Sequence, residues 1–375
     1  MGHAYTPGLQ VSERTVYRAR RTLPIPGDVL VAQGDRVTAR DVVAQTDLPG
    51  DIMPLNLANQ LSVMPGDIPR LMLKKEGDHI SEGEVIARTN GIFGMFKTPY
   101  HSRATGTIES VSGVTGQVIV RGKPIPVQVR AYASGVVSEV LPGEGCIIEA
   151  QATYVQGIFG VGGEAYGKIR VIASRPDEEL DADRITSELR GCIVVGGARI
   201  HGDAARKAIE CGVAAVVSGG IDDQDLRDIL GYDLGVAVTG TEQLGTTFIV
   251  TEGFGDIAMA DRTFELLTSR EGADAAVNGA TQIRAGVQRP EILIPLSGAD
   301  GDARGSAGAV AGTLVIGAPV RIIRDPYFGI LGTVADLPTQ PQVLGSGSKA
   351  RVLEVTCASG ERVIVPRANV ELIAE

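Results

Sequence analysis

The sequence predicts a β-rich, multidomain chain: an N-terminal β region, a central α/β domain with a largely parallel sheet, and a small C-terminal β-barrel. Three observations carry this expectation. A repeat of Gly-Asp turns occupies the first 150 residues, strands alternate with short helices between 184 and 296, and from Leu314 onward β-branched residues alternate with polar ones. The composition agrees, because 49 glycines in 375 residues, 4% aromatic residues and no Trp describe turns around light cores rather than a helical bundle. The length allows two or three domains of ordinary size. The division that follows is an extension at 1–20, a β region at 21–183, an α/β domain at 184–296, a flexible linker at 297–313 and a barrel at 314–375.

In the first region Ala32-Gln33-Gly34-Asp35-Arg36-Val37, leading to Val42-Val43-Ala44, reappears as Lys75-Glu76-Gly77-Asp78-His79-Ile80, leading to Val85-Ile86-Ala87. Each copy sets apolar residues either side of a turn in which glycine takes positive φ and aspartate bonds nearby backbone. Weaker relatives follow at Gly106-Thr107-Ile108-Glu109-Ser110-Val111 and Gly135-Val136-Val137-Ser138-Glu139-Val140. Four half-motifs of this kind resemble the barrel-sandwich hybrid of biotinyl and lipoyl carrier domains and of some electron-transport and polymerase subunits, over about residues 21–150. The resemblance implies a carrier lysine at a hairpin tip, for which Lys97 in Gly94-Met95-Phe96-Lys97-Thr98-Pro99 is the nearest candidate. No acidic-Ala-Met-Lys-Met string surrounds it, so an exposed lysine beside a turn is the plainer reading.

The central region opens with Cys192-Ile193-Val194-Val195, an apolar run ending in Gly196-Gly197. A helix from Asp203 to Cys211 closes at Gly212, a strand runs from Val213 to Val217, and a helix from Asp222 to Leu230 is capped by Asp222 and ended by Gly231. A strand at Gly235–Val238 and a helix between Asp256 and Arg270 complete the alternation, which implies parallel pairing. The first strand-helix-strand unit resembles protease-associated and swivelling domains, which implies a non-catalytic role. Two glycine turns, Gly196-Gly197 and Ser218-Gly219-Gly220, stand at strand ends where open α/β sheets hold ligands, and Arg199, His201 and Arg206 beyond the first could form a small positive site. Asp203 and Asp222 cap the helices that follow and compete with an anion for their N–H groups. Gly162-Gly163-Glu164-Ala165-Tyr166-Gly167-Lys168 has phosphate-loop spacing, but Ile169 replaces the metal-binding hydroxyl and a strand pattern follows where a helix is needed.

Between Ser297 and Thr313, glycines at 298, 301, 305, 308 and 312 mark the linker. Beyond it, Val320-Arg321-Ile322-Ile323, Pro326-Tyr327-Phe328-Gly329, Gly332-Thr333-Val334, Val363-Ile364-Val365-Pro366 and Val370-Glu371-Leu372-Ile373 resemble a KOW domain. That is the SH3-like barrel of certain transcription elongation factors and of a ribosomal large-subunit protein. The resemblance implies binding to RNA or protein and no catalysis. Arg321, Arg324 and Lys349 would supply charge and Tyr327 and Phe328 rings for such a contact, or the rings plug the barrel end.

A formal charge of −10 argues against a general polyanion binder and leaves room for a local basic patch. Cys146, Cys192, Cys211 and Cys357 form no CxxC pair, and read as free thiols rather than zinc ligands or a redox couple. The four histidines have no patterned nucleophile beside them. No catalytic residue, metal or cofactor is expected. With no apolar run long enough to span a bilayer, a cytoplasmic location follows. The expected function is a non-enzymatic adaptor docking on a protein or structured RNA through its last module, with a homo-oligomer open. The alternatives are a small-ligand regulator or enzyme at the strand-end turns, and a carrier modified on Lys97.

Overall fold

The computed structural model describes residues 9–91, 97–231, 242, 244–281, 289–296, 314–322, 327, 330–338, 340–343, 349–357 and 360–372. Its largest feature is a mixed sheet, twelve-stranded among these residues. In spatial order it runs Phe159–Val161, Thr247–Phe254, Ala215–Ile221, Ile193–Val195, Glu164–Val171, Asp274–Asn278, Glu291–Pro295, Gly145–Gln156, Gly135–Leu141, Arg36–Val37. Val11–Thr22 and Arg199–Ile200 pair alongside. The expected largely parallel sheet is corrected to a mixed one. Among the named strands, parallel pairing joins five neighbours, Glu164–Val171, Ile193–Val195, Arg199–Ile200, Ala215–Ile221 and Thr247–Phe254. The crossover helices Gly202–Cys211 and Asp223–Leu230 connect strands within this set, and the other pairs of the large sheet are antiparallel.

Residues 11–22, assigned by the sequence mostly to an N-terminal extension, form a long strand on Gly145–Gln156. Glu164–Val171 pairs through its first half with Asp274–Asn278 and through its second with Ile193–Val195. One strand therefore joins the antiparallel and parallel parts of the sheet.

The repeat pairs outermost with outermost. Gly34 N donates to Val137 O at 2.8 Å, and Gly77 N donates to Ile108 O at the same distance. The first copy thus lies on the fourth half-motif, and the second on the third. Both glycines take positive φ, 91° and 89°. Asp35 Oδ2 accepts from Ala32 N at 2.8 Å, and Asp78 Oδ2 from Lys75 N at 2.7 Å. The strands after the turns bury Val43, Ala44, Ile86 and Ala87 completely.

The helix Gly202–Cys211 ends at Gly212 with φ 71°, and Asp223–Leu230 starts on Asp222, whose side chain accepts from Gln224 N. Their apolar faces cover one side of the parallel strands through Ala204, Ala205, Ala208 and Leu226. Asp261–Thr268 covers the other side with Phe264 and Leu267. The residues given the phosphate-loop spacing enter the strand Glu164–Val171, so no helix N-terminus faces an anion there. The expected strand at 235–238 and the linker at 297–313 lie outside the described residues.

The C-terminal module is an antiparallel sheet ordered Arg362–Pro366, Val352–Cys357, Leu331–Asp336, Pro319–Ile322, Val370–Leu372 among the described residues. Val320, Ile322, Val355 and Val365 fill its core. Among the described residues no helix is long and apolar enough to cross a membrane.

Candidate functional site

The strand-end turns that the sequence singles out are filled by the chain itself. Gly219 N donates to Gly197 O and Ala198 O, each at 2.9 Å, and Gly220 N to Ala198 O at 3.2 Å. Gly196 N bonds Val217 O, and the buried Ser218 hydroxyl donates to Gly220 O at 3.0 Å. A Cβ on Gly197 would stand 2.4 Å from Arg175 O, and one on Gly220 2.2 Å from Gly255 O. These glycines serve the close approach of loops over the strand ends, and the amides of Gly196, Gly219 and Gly220 are already bonded. Arg199 binds Asp256 at 2.9 Å and Asp225 at 3.0 Å, and His201 Nε2 lies 2.7 Å from Glu179. The positive charge read from the sequence at Arg199 and His201 is neutralised where it stands.

The residues named in the last module are dispersed. Arg321 is 2% exposed and points into the junction with the large sheet, giving Nη1 to Glu371 Oε1 at 2.9 Å and Nη2 to Glu252 Oε2 at 2.5 Å. Arg289 pairs with the same Glu371. Tyr327 packs against the module core. Lys349 sits in a short strand paired to Gln342–Val343, while Arg324 and Phe328 lie outside the described residues. Lys97 is exposed at the foot of the connection between Val85–Arg88 and Pro99–His101, where Thr89 and Thr98 close the ladder. Residues 92–96 of that connection are outside the described residues.

A cleft of about 600 Å³ lies where the N-terminal β region meets the large sheet. One wall is the sheet face itself. Tyr166, Lys168 and Arg170 alternate along Glu164–Val171 and therefore share a face. Ala276 stands opposite Tyr166, Asp274 opposite Lys168, and Leu293 beyond Ala276. The facing wall is the turn Thr38–Asp41, held by Asp41 Oδ2 on Thr38 N at 2.7 Å. Tyr132 and Ser134 brace that turn, since Tyr132 N donates to Ala39 O at 2.9 Å and Ser134 Oγ accepts from Ala39 N at 3.0 Å. Tyr132 holds φ 65°, an unusual conformation for a bulky residue, which directs its ring into the sheet. The third side is the turn Arg190-Gly191-Cys192, which approaches the sheet because Gly167 has no side chain; a Cβ there would lie 2.4 Å from Gly191 O.

The electrostatics are one-sided. Among the described residues, four cationic ones, Arg40, Lys168, Arg170 and Arg190, line the cleft with one acidic residue, Asp274. Arg170 is oriented by Glu271 at 3.1 Å. Lys168 meets Asp274 at 3.3 Å, but both ends are well exposed, so the pair binds weakly. Arg40 donates to the Tyr166 carbonyl at 3.3 Å, and neither Arg40 nor Arg190 has a carboxylate partner among the described residues. Behind the wall, Tyr17 and Tyr154 donate to the two oxygens of Glu291 at 2.6 and 2.8 Å, and Tyr166 donates to Glu164 at 2.9 Å. Burial, reinforced by Glu291 at Tyr17, Tyr132 and Tyr154 and by Glu164 at Tyr166, pushes all four phenols up from their ordinary range. They remain protonated at neutral pH.

The sequence singles out none of these residues as a site: Tyr166 and Lys168 stand in the glycine-rich segment with phosphate-loop spacing, and Arg170 in the strand pattern that follows it. Arg40 and Arg190 lie far away in the chain, and no local pattern points to their meeting. Cys192, read as a core filler, is partly exposed at the cleft edge. The chain matches no protein-family model and no curated protein sequence.

Proposed function

We propose that this chain is a non-enzymatic binding protein that takes a small anionic molecule in the cleft between its N-terminal β region and the large sheet. The carrying observation is that Arg40 and Arg190 both line one cavity and neither has a carboxylate partner among the described residues. Arginine left without an internal counter-ion presents a planar fork of donors suited to phosphate or carboxylate. The volume falls in the range of small-molecule sites.

Titration calorimetry of the full chain with pyrophosphate at low salt tests this reading. Saturable binding is expected, weakened about tenfold or more when Arg40→Gln and Arg190→Gln are combined. No saturable binding, or equal affinity in a folded double variant, overturns it.

A second reading keeps the C-terminal module as a docking element for a protein or RNA partner. Its support is Ile364, 58% exposed on Arg362–Pro366, which is an edge strand among the described residues. Ile364→Lys is expected to abolish partner recovery in affinity purification from the native host, and unchanged recovery overturns it.

A further inference from the structure

We propose that the anion taken by the cleft is a phosphorylated compound carrying a planar ring, of nucleoside diphosphate size, with its ring at Tyr166 and its phosphates towards Lys168, Arg170 and Arg190. This rests on the reading of the cleft as an anion site. The strand Glu164–Val171 supplies a ruler, because alternate residues on one face are spaced by roughly 7 Å. From Tyr166 the first cation is therefore about 7 Å away and the second about 13 Å, which suits an extended ligand rather than a compact ion.

The two ends of the ruler differ in chemistry. At the Tyr166 end the sheet floor is Ala276 and Leu293, without charge, and Tyr132 stands 6.3 Å from the Tyr166 ring at 68°. Ala276, Leu293 and Tyr132 are buried beneath it, so the half-buried Tyr166 presents the aromatic surface on which a flat ring can stack. Beside Gly167 and Lys168 the turn 190–192 brings Arg190 to the lining, and further along the strand Glu271 holds Val171 N at 2.6 Å while fixing the Arg170 guanidinium. Arg40 reaches over the ring end from the facing turn through its bond to the Tyr166 carbonyl, and Thr38 and Ser134 offer hydroxyls on that wall. An inorganic anion would satisfy the cations and leave the exposed part of the Tyr166 ring uncovered. A neutral ring would leave Arg40 and Arg190 without a carboxylate partner among the described residues.

Calorimetry with ADP, pyrophosphate and adenosine separates these contributions. The full chain is expected to bind ADP about tenfold tighter than pyrophosphate, and more weakly to bind adenosine. Tyr166→Leu is expected to lower ADP affinity about tenfold while leaving pyrophosphate within about twofold, and Tyr166→Phe to retain ADP affinity, since a ring rather than a hydroxyl is required. Pyrophosphate binding as tight as ADP, or ADP affinity unchanged in Tyr166→Leu, overturns the ring assignment and leaves the anion site standing. Failure of all three probes to bind overturns both.

Discussion

Arg321 of the C-terminal module gives Nη2 to Oε2 of Glu252 on the large sheet at 2.5 Å, and both side chains are buried. Glu252 is itself anchored, accepting Ala260 N at 3.1 Å where the helix Asp261–Thr268 begins. Glu371 and Arg289 extend the contact to two cations and two carboxylates in alternation. Such a chain is neutral as a whole, and each member depends on the others for compensation in a medium that solvates charge poorly. The module is thus fastened to the sheet by residues from both.

Removing one member leaves its partners charged and buried. Arg321→Met is expected to lower stability by about 3–5 kcal/mol, read from urea unfolding, since Glu252 and Glu371 lose their shared cation. A loss below about 1 kcal/mol would show the junction to be solvated, as exposed pairs are.

The two Gly-Asp turns make the same bonds at corresponding atoms, so they should respond alike. Asp35→Ala and Asp78→Ala are each expected to cost about 1 kcal/mol, the net worth of one hydrogen bond. Gly34→Ala and Gly77→Ala are expected to cost about 1–2 kcal/mol through left-handed strain. Denaturant midpoints of the four variants check the equivalence; a large effect at one turn and none at the other would break it.

The four raised phenols carry a pH dependence. Below the ordinary tyrosine value of about 10 both folded and unfolded chains hold these protons and stability does not change on their account. Above it the unfolded chain releases them first while the folded chain keeps them, so stability falls as pH rises. Unfolding midpoints between pH 8 and 11, roughly bracketing that value, should show the decline, and Tyr17→Phe with Tyr154→Phe should flatten it. A profile unchanged by the double variant would place the alkaline loss elsewhere.

Gly220→Ala separates the two places where a ligand was sought. The added carbon collides with Gly255 O, and a cost of about 1–3 kcal/mol is expected from overpacking. Pyrophosphate affinity, measured on the folded fraction, should stay as it was. A selective loss of binding would return the site to the strand ends.

Much of the local structure was legible in contiguous residues. Asp222 and Gly231 bound one helix, Gly212 ends another, and both repeat turns are written in adjacent glycine and aspartate. The candidate site was not legible: Tyr166 and Lys168 were read within a glycine-rich segment of phosphate-loop spacing, and the structure places them with Arg170 on one strand. His201 and Arg199 looked like a free positive site because their carboxylates, Glu179, Asp225 and Asp256, belong to other segments.

By itself the sequence determined the β-rich character, the turns, the helix ends and the alternation that gives each strand an inner and an outer face. These depend on dihedral preferences and on hydrogen bonds spanning a few residues. Only the tertiary structure decided that Val11–Thr22 belongs to the large sheet, that Arg321 is an internal cation rather than a surface one, and that Arg40 and Arg190 line one cleft. The physical reason is common to all three. A strand's partner and a charge's counter-ion are chosen by long-range packing, and an arginine reads the same in the chain whether it meets a carboxylate, water or a ligand.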